Sequence, residues 1–433
     1  MSSFALGLGG IGLMLVMLAF RQPVWIALAV IGIAGNWTLN SLMTAKFTAG
    51  TTLFDVASNY NLSVIPLFVL MGEIASGSRM SAELFNAARV LLSGLRGGLS
   101  LASIAASGAF GAICGSSVAT AASMTRIAMP EMNRAGYEPS FSAASVAAGG
   151  SLGILIPPSI ILVIYGSITE TSVARLFAAS MIPGLVLLVL YILVAIWLAH
   201  RAGAAPLEAG ASIGQRLSAL KDPWQFVLLF VLTIGGIYAG VFSPTEAASV
   251  GAFGAIVLGF LKRTLDGARL IAAIQASVIV SCALFMIIIG ATLFANFIVQ
   301  TRLPDTLLQL AQDAELNVFV VMGLIIVIYI VLGCFLEGLG MVLITVPVFL
   351  PVVVGYGFDP IWFGVLVAVL VELGLITPPV GMNLFIIRAQ VRELNIRQIY
   401  RGILPFLLAP VALIILMFVF PQLALWLPEL FYN

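Results

Sequence analysis

Charged residues are scarce in this sequence. Asp, Glu, Lys and Arg together make up 9% of its 433 residues, whereas hydrophobic residues make up 61%. Because a soluble domain carries about 25% charged residues, this composition excludes an ordinary water-soluble protein and indicates one that crosses a membrane several times. The net charge of +1 provides no basic surface for nucleic acid.

Histidine and cysteine are also rare. His200 is the only histidine, so no second histidine is available for a zinc site or a protease pair. The three cysteines, Cys114, Cys282 and Cys334, lie in apolar runs, which indicates packing and not a disulfide. The stretch "GLGGIG" (7–12) fits a dinucleotide fingerprint but follows no strand. The sequence therefore does not predict an enzyme.

Apolar runs of about 20 residues, the length of a membrane-spanning helix, recur along the chain. They fall near 4–20, 23–43, 61–77, 141–168, 176–199, 224–241, 246–261, 271–298, 361–387 and 403–427. Two longer apolar regions, 99–129 and 317–352, are interrupted by "GAICGSS" and "GCFLEGLG". We interpret each as a re-entrant helical hairpin, with an ordinary pair of spans as the alternative. Irregular backbone at membrane depth requires a surrounding of protein or a water-filled cavity.

The distribution of positive charge supports this topology. With the N-terminus outside and each hairpin returning to its own side, the inner face collects all but three of the 19 Lys and Arg residues. The three exceptions are Lys46, Arg175 and Arg302. If either hairpin crossed the membrane completely, the loops after it would change sides and the positive charges would no longer collect on the inner face.

A sequence repeat runs through the chain with one constant offset. This offset equals the separation in sequence between Leu152 and Leu373. "LGILIPPS" (152–159) matches "LGLITPPV" (373–380), and "PEMNRAGYEP" (130–139) matches "PVVVGYGFDP" (351–360). The repeat predicts two halves, 1–200 and 223–433, joined by a cytoplasmic linker, 201–222. Each half contains five crossings and one hairpin. Because five is odd, the second half is expected to be inverted in the membrane, as in secondary transporters.

The double prolines of the repeat break two helices, one near 141–168 and one near 361–387. Pro157 and Pro158 cannot donate to the carbonyls of Gly153 and Ile154, and the second pair acts likewise on Gly374 and Leu375. Bare carbonyls in hydrocarbon cost several kcal/mol each, so a cation or a water-lined cavity is expected beside them. The alternative is a proline kink whose carbonyls accept bonds from nearby Ser or Thr. The fold class is thus all-α integral membrane, an inverted-repeat transporter with two hairpins and two broken helices.

The segments "GAICGSSVATAASM", "MPEMNRAGYEPSFSAASVAAGGSLGILIPPSI" and "ELGLITPPVGMNLF" resemble the large membrane subunit of TRAP transporters, the tripartite ATP-independent periplasmic carriers. The resemblance covers essentially the whole chain. It implies sodium-driven uptake of an organic acid across the bacterial inner membrane by an elevator movement. It also implies two partners, a periplasmic substrate-binding protein and a small four-helix membrane subunit. Because residue 1 opens the large subunit directly, the small subunit is expected to be a separate chain.

The resemblance also implies two sodium sites, each at a hairpin facing a break. The first would use Gly111, Gly153, Ile156 and Pro158, and the second Gly333, Gly374, Thr377 and Val380. Most of these would offer backbone carbonyls, while Thr377 adds a hydroxyl. Its counterpart Ile156 has none, so the two sites would differ chemically.

Candidate substrate contacts lie at the hairpin tips. Ser116 and Ser117 stand at the first tip, and Glu337 is the counterpart of Ser116 in the second. A carboxylate at membrane depth is a functional candidate, although Glu337 could instead pair within its hairpin. Arg302 could hold a substrate carboxylate or simply face lipid. Glu372, beside the second break, could tune the ion site or only pack in protein.

Two other functions stay open from the sequence. One is a self-sufficient ion-coupled anion carrier of related architecture, and the other is a passive channel. Paired ion cages in inverted repeats favour coupled transport over a channel. The sequence does not specify which organic acid is carried, because specificity in such a system would lie largely in the binding protein.

Overall fold

The computed structural model describes residues 2–201, 205–207 and 209–432, and every regular element within these ranges is helical. This confirms the all-α class. The first half contains α1 (Ser3–Ala19), α2 (Val24–Leu39), α3 (Leu42–Ser58), α4 (Val64–Gly77), α5 (Met80–Leu92), α6 (Gly98–Cys114), α7 (Ser117–Arg134), α8 (Pro139–Ser151), α9 (Ile160–Thr169) and α10 (Val173–Arg201).

Of the predicted linker 201–222, residues 202–204 and 208 lie outside the described residues. The remainder contains α11 (Ile213–Ala219), which begins with a capping box at Ser212. The second half has a series of helices that matches the first. They are α12 (Trp224–Phe230), α13 (Gly236–Tyr238), α14 (Pro244–Leu261), α15 (Gly267–Gln300), α16 (Leu303–Asp313), α17 (Val318–Gly333), α18 (Gly338–Gly355), α19 (Pro360–Ile376), α20 (Met382–Gln390), α21 (Ile396–Ile403), α22 (Leu408–Val419) and α23 (Gln422–Tyr432).

The helix bounds repeat with the offset found in the sequence. Helix α7 runs from Ser117 to Arg134 and α18 from Gly338 to Gly355, so both ends shift by the same step that separates Leu152 from Leu373. Helices α8 and α19 begin with prolines related by the same offset. Proline is favoured at the first position of a helix because its missing N–H would be unpaired there anyway. The inversion of the second half in the membrane stays a prediction.

Helix α3 was not expected from the sequence. The apolar run 23–43 was interpreted as one span, whereas α2 ends at Leu39 and Ser41 caps a new helix by accepting from the Thr44 N–H. The threonines and charged residues of α3 lower its hydropathy below that of a typical span. Its counterpart under the repeat offset is the first part of the 34-residue α15, whose second part matches α4. The first half therefore breaks a helix that is continuous in the second.

The hairpins and broken helices form the buried centre of the protein. Helix α6 packs against α7 and α8 in the first half, and α19 packs against α17 and α18 in the second. Every residue from Phe141 to Ser151 and from Ile361 to Ile376 is buried. A Cβ added to Gly150 would lie 2.7 Å from the Ala121 Cβ, so small residues allow these helices to approach closely.

Outer helices pack around this centre with apolar faces directed outward. Helix α2 packs against α15, and α4 packs against α14. Phe47 and Phe54 of α3 are 70% and 71% exposed, as expected for side chains that face lipid or another membrane chain.

Six helical stretches in the described part of the chain are long and apolar enough to cross a membrane. These are Tyr60–Gly77, Val173–His200, Pro244–Leu261, Gly267–Gln300, Gly338–Gly355 and Ile396–Val419, with a bent pair near residues 213–238 as a seventh. The number is smaller than the runs in the sequence because prolines and glycines divide several runs into shorter helices, such as Pro360–Ile376.

Candidate functional site: two hairpin tips, two helix breaks and one cavity

Hairpin one, formed by α6 and α7, reverses at residues 115–116. Gly115 has a φ of 63°, a left-handed conformation that glycine adopts without steric cost. The Ser116 hydroxyl then accepts from the Ala119 N–H at 3.4 Å and caps α7. The turn is therefore encoded locally by a glycine followed by a capping serine.

Break one, residues 152–159 between α8 and α9, lies directly against hairpin one. A Cβ added to Gly111 would stand 2.6 Å from the Gly153 Cα, and one on Gly115 would stand 2.9 Å from the Pro158 carbonyl oxygen. Glycine is required at both positions because the two backbones are in contact. The Ile156 N–H donates to the Leu152 carbonyl at 3.1 Å. Of the four residues predicted as ligands of the first ion, Gly111 thus contacts Gly153, and Ile156 and Pro158 lie on the same break.

Hairpin two, formed by α17 and α18, meets break two, residues 377–381, in the same way. A Cβ on Gly333 would stand 2.9 Å from the Gly374 Cα. The Cys334 thiol donates to the Pro378 carbonyl at 3.3 Å. Both breaks contain a cis Pro–Pro bond, at Pro157–Pro158 and at Pro378–Pro379.

The carbonyls at break two are not all free, which corrects one expectation. The Gly374 carbonyl, expected to lack a donor, accepts the Thr377 N–H at 3.2 Å. The Thr377 hydroxyl donates to the Leu373 carbonyl at 2.5 Å. Each acceptor retains a second lone pair, and the Thr377 oxygen can still act as a ligand. Val380 lies half-buried between the prolines and Gly381.

A cavity of about 340 Å³ lies between the two hairpin tips. Tip one contributes residues 114–119 and tip two contributes residues 337–339. Helices α4, α9 and α15 close the cavity with Glu73, Ile161 and Leu284 among others. Its size lies in the range of small-molecule sites, about 300–1,000 Å³.

Three of the four predicted substrate contacts line this cavity. Ser116, Ser117 and Glu337 are among its wall residues. Glu337 stands at the N-terminus of α18 without capping it, and no described salt bridge includes its carboxylate. The alternative of a pair within the hairpin therefore finds no support. Arg302 is exposed at the start of α16, away from the cavity wall.

Two residues of this region were missed by sequence reasoning. Glu73 lies within the apolar run 61–77, where a carboxylate is itself a signal that could have found it. Asn383, at the start of α20, is fully buried, and its amide donates to the Ser117 hydroxyl at 2.7 Å. This bond ties the second broken helix to the first hairpin tip. The side-chain oxygen Oδ1 of Asn383 has no hydrogen-bond partner among the described residues.

Glu372 lies in the buried helix α19 and is not among the residues that line the cavity. Its side chain is 0% exposed, and neither carboxylate oxygen has a hydrogen-bond partner in the described part of the structure. Ser151 and Tyr191 are polar neighbours of this carboxylate, and their hydroxyls lie 3.2 Å from each other. Glu372, on the helix before break two, thus lies close to Ser151 at the end of the helix before break one.

Paired hairpins that contact paired helix breaks around a small cavity define a membrane transporter. The solved structures agree with this fold. The chain aligns with the YdaH transporter of Alcanivorax borkumensis with a TM-score of 0.59 and 16% identity, covering 87% of this chain and 89% of that one. It aligns with MtrF of Neisseria gonorrhoeae with a TM-score of 0.57 and 16% identity, covering 87% and 84%.

Sequence comparisons identify the family. Residues 11–423 match the family described as tripartite ATP-independent periplasmic transporter, DctM component. The large permease protein DctM of the C4-dicarboxylate TRAP transporter of Pseudomonas aeruginosa is 35% identical over 87% of this chain and 88% of its own. The sialic acid permease SiaM of Vibrio cholerae is 32% identical over 95% of both chains. The ectoine permease TeaC of Halomonas elongata is 30% identical over 97% and 98%.

The chain belongs to the DctM family of TRAP transporters and is a large permease subunit, as the resemblance implied. It is a multi-pass protein of the inner membrane and a transporter component, not an enzyme.

Proposed function

We propose that this subunit imports an organic acid in symport with sodium, by an elevator movement of the hairpins and broken helices against the outer helices. The observation that carries the proposal is the pair of glycine contacts between tip and break. Gly111 meets Gly153, and Gly333 meets Gly374. The two break glycines are related by the repeat offset, and Gly333 lies next to the position that corresponds to Gly111. Two such contacts around one cavity suit a symmetric pair of ion sites that closes the two tips around a cargo.

The donor groups at these contacts fit sodium. The proposed ligands are Gly111, Gly153, Ile156 and Pro158 at the first site and Gly333, Gly374, Thr377 and Val380 at the second. They offer carbonyl and hydroxyl oxygens, which suit a hard monovalent cation. Within the described residues no cluster of three or more His, Cys, Asp or Glu side chains suits a transition metal. Bound sodium would supply positive charge that favours closure of the tips around an anion.

The proposed partners follow from family membership. A periplasmic binding protein would deliver the cargo, and a small four-helix subunit would brace the exposed apolar helices. Among the relatives, the DctMQ permease for isethionate of Oleidesulfovibrio alaskensis is 30% identical over 90% of this chain but only 60% of its own length. For the present chain we propose that the small subunit is a separate polypeptide. The relatives' names, which cite C4-dicarboxylates, sialic acid, isethionate and ectoine, favour a small organic acid as cargo.

Uptake by the complete system in liposomes tests this function. The large and small subunits are reconstituted together, the binding protein is added outside, and an inward sodium gradient is imposed. We expect uptake that requires the gradient and saturates cooperatively in sodium. Full uptake in sodium-free buffer with a proton gradient alone would overturn the coupling.

The same assay separates the competing functions. Robust sodium-driven uptake by this chain without partners would identify a self-sufficient carrier. A conductance that persists without any gradient-coupled accumulation would identify a channel.

A further inference from the structure

One buried hydrogen bond joins the two halves of the chain at the first hairpin tip. The Asn383 amide, on α20 of the second half, donates to the Ser117 hydroxyl at 2.7 Å. Asn383 is 0% exposed and Ser117 is 2% exposed, so water does not compete for this bond. Ser117 is the first residue of α7 and lines the cavity. The bond therefore attaches the cavity wall at tip one to the helix that follows break two.

The direction of this bond is fixed by a third group. The Asn383 Nδ2 also faces the Ala147 carbonyl at 3.5 Å, and a carbonyl can only accept. The Ser117 oxygen is therefore the acceptor, and its own proton is left for a group in the cavity. The Asn383 Oδ1 has no partner among the described residues, and a buried polar atom without a partner costs free energy. An apolar side chain would avoid that cost, so packing alone does not explain an asparagine here.

Both ends of the bond lie beside proposed ion sites. Asn383 comes shortly after the proposed ligand Val380 and after Gly381, whose φ of 60° turns the chain into α20. At the other end, Ser116 contacts break one, because a Cβ added to Gly153 would stand 3.1 Å from the Ser116 carbonyl oxygen. A displacement of break two therefore reaches tip one through Asn383, and tip one in turn borders the first site.

The equivalent contact at tip two is apolar. Under the repeat offset, Ser117 corresponds to Gly338. Asn383 corresponds to Leu162, so this second pair offers no polar side chain for a hydrogen bond. A Cβ added to Gly338 would stand 3.8 Å from the Ile161 Cδ1. The polar bond at tip one thus has no side-chain equivalent at tip two, which gives the link a direction, from the second break to the first tip.

We propose that Asn383 is a positioning residue through which the second ion site acts on the first hairpin. When break two is ordered by its ion, Asn383 holds Ser117 in place and tip one closes over the cavity. When break two is not ordered, α20 is free to shift and tip one is released. This inference rests on the proposed function and deepens it by naming the residue that makes the two ion sites cooperative.

Two native cysteines report on the tips without any cargo. Cys114 lines the cavity at tip one and is 4% exposed, and the Cys334 thiol lies on hairpin two against break two. Replacing the exposed Cys282 and one of these two by alanine leaves a single reporter thiol. The rate at which a small methanethiosulfonate reagent labels that thiol, in the complex of large and small subunits, is measured against sodium concentration. We expect sodium to slow the labelling of each thiol, because closed tips bury both.

Asn383→Ala and Ser117→Ala each remove the bond. We expect the sodium concentration that half-protects Cys114 to rise about two- to tenfold, the range that one neutral hydrogen bond produces, and the sodium dependence to become less steep. The double variant should behave like either single variant, because both substitutions remove the same interaction. Half-protection of Cys334 should stay unchanged in Asn383→Ala, since tip two meets its own break by direct backbone contact.

Thr125→Val is the matched control on the same helix. Thr125 is 2% exposed, and its hydroxyl donates to the Ala121 carbonyl at 2.6 Å. The substitution therefore removes a buried hydrogen bond that stays within α7. We expect Cys114 to keep its unaltered sodium dependence in this variant. If Asn383→Ala does not fold, Ser117→Ala, which is the smaller change, gives the decision.

Each outcome decides the question. Unaltered sodium dependence of Cys114 in the folded Asn383→Ala or Ser117→Ala variant overturns the inference, as do additive effects in the double variant. An equal shift in Thr125→Val, or an equal shift of Cys334 in Asn383→Ala, also overturns it, because the effect would then be a general loosening. If sodium protects Cys334 but not Cys114 without these substitutions, the inference fails and the proposed function stands. If sodium protects neither thiol, the proposed sodium coupling fails together with the inference.

Discussion

Gly333→Ala tests whether hairpin two is held against break two by direct backbone contact. Its Cβ would stand 2.9 Å from the Gly374 Cα, whereas ordinary contacts begin at 3.4 Å. Because the obstacle is backbone and not a flexible side chain, the tip and the break must separate by about 0.5 Å. Overpacking of this kind costs about 1–3 kcal/mol.

Gly323→Ala provides the control within the same helix. A Cβ on Gly323 would have no heavy atom within 4 Å, so it meets open space. Replacement of glycine by alanine inside a helix stabilises the helix by roughly 0.5–1 kcal/mol. We therefore expect the two substitutions in α17 to change stability in opposite directions.

Two measurements test this difference in stability between the two variants. The melting temperature of the purified subunit in detergent should fall for Gly333→Ala and stay level or rise for Gly323→Ala. If the cost of about 1–3 kcal/mol falls on the closed, ion-bound arrangement, the apparent sodium affinity drops about 5- to 150-fold. Identical melting and sodium dependence of the two variants would refute a backbone contact between tip and break.

Three further predictions concern the site and the topology. Thr377→Val removes the hydroxyl and should weaken the apparent sodium affinity about ten- to a hundredfold. Ile156→Val, at the symmetric position, should change this affinity little. If Thr377→Val leaves the sodium dependence of uptake unchanged, the Thr377 hydroxyl is not a sodium ligand. Asn383→Leu deletes a buried amide that bonds across to hairpin one, and we expect a loss of about 1–3 kcal/mol, seen as a lower melting temperature; wild-type melting would show that the bond contributes nothing. Single cysteines at Asn133 and Gly357, in a background without the native three, should react from the cytoplasm and the periplasm respectively, and labelling of both from one side would contradict the inverted repeat.

Much of the architecture could be predicted because its determinants act locally. A double proline ends a helix wherever it stands, so the two breaks could be located from four residues. Gly115 at the tip of hairpin one likewise acts through its own left-handed backbone conformation. The constant offset of the repeat then linked the halves, and the helix bounds at α7 and α18 follow it at both ends.

Helix α3 shows where local reasoning was insufficient. Its residues Leu42–Ser58 are too polar on average to read as a span, and nothing nearby in sequence reveals that they correspond to the start of α15. Hydropathy measures how well a segment suits lipid, whereas helix formation here also depends on the helices that α3 packs against, α2 and α15.

What the sequence by itself determined is the class of protein, its membrane character, its repeat and the positions of its breaks, because composition and proline act without tertiary context. Only the tertiary structure decided which polar groups share one cavity. Glu73 and Glu337 come together there from distant helices, and Asn383 reaches Ser117 across 266 residues of sequence. Such partnerships depend on how helices cross, and helix crossing is set by side-chain packing over the whole buried centre and not by any single segment.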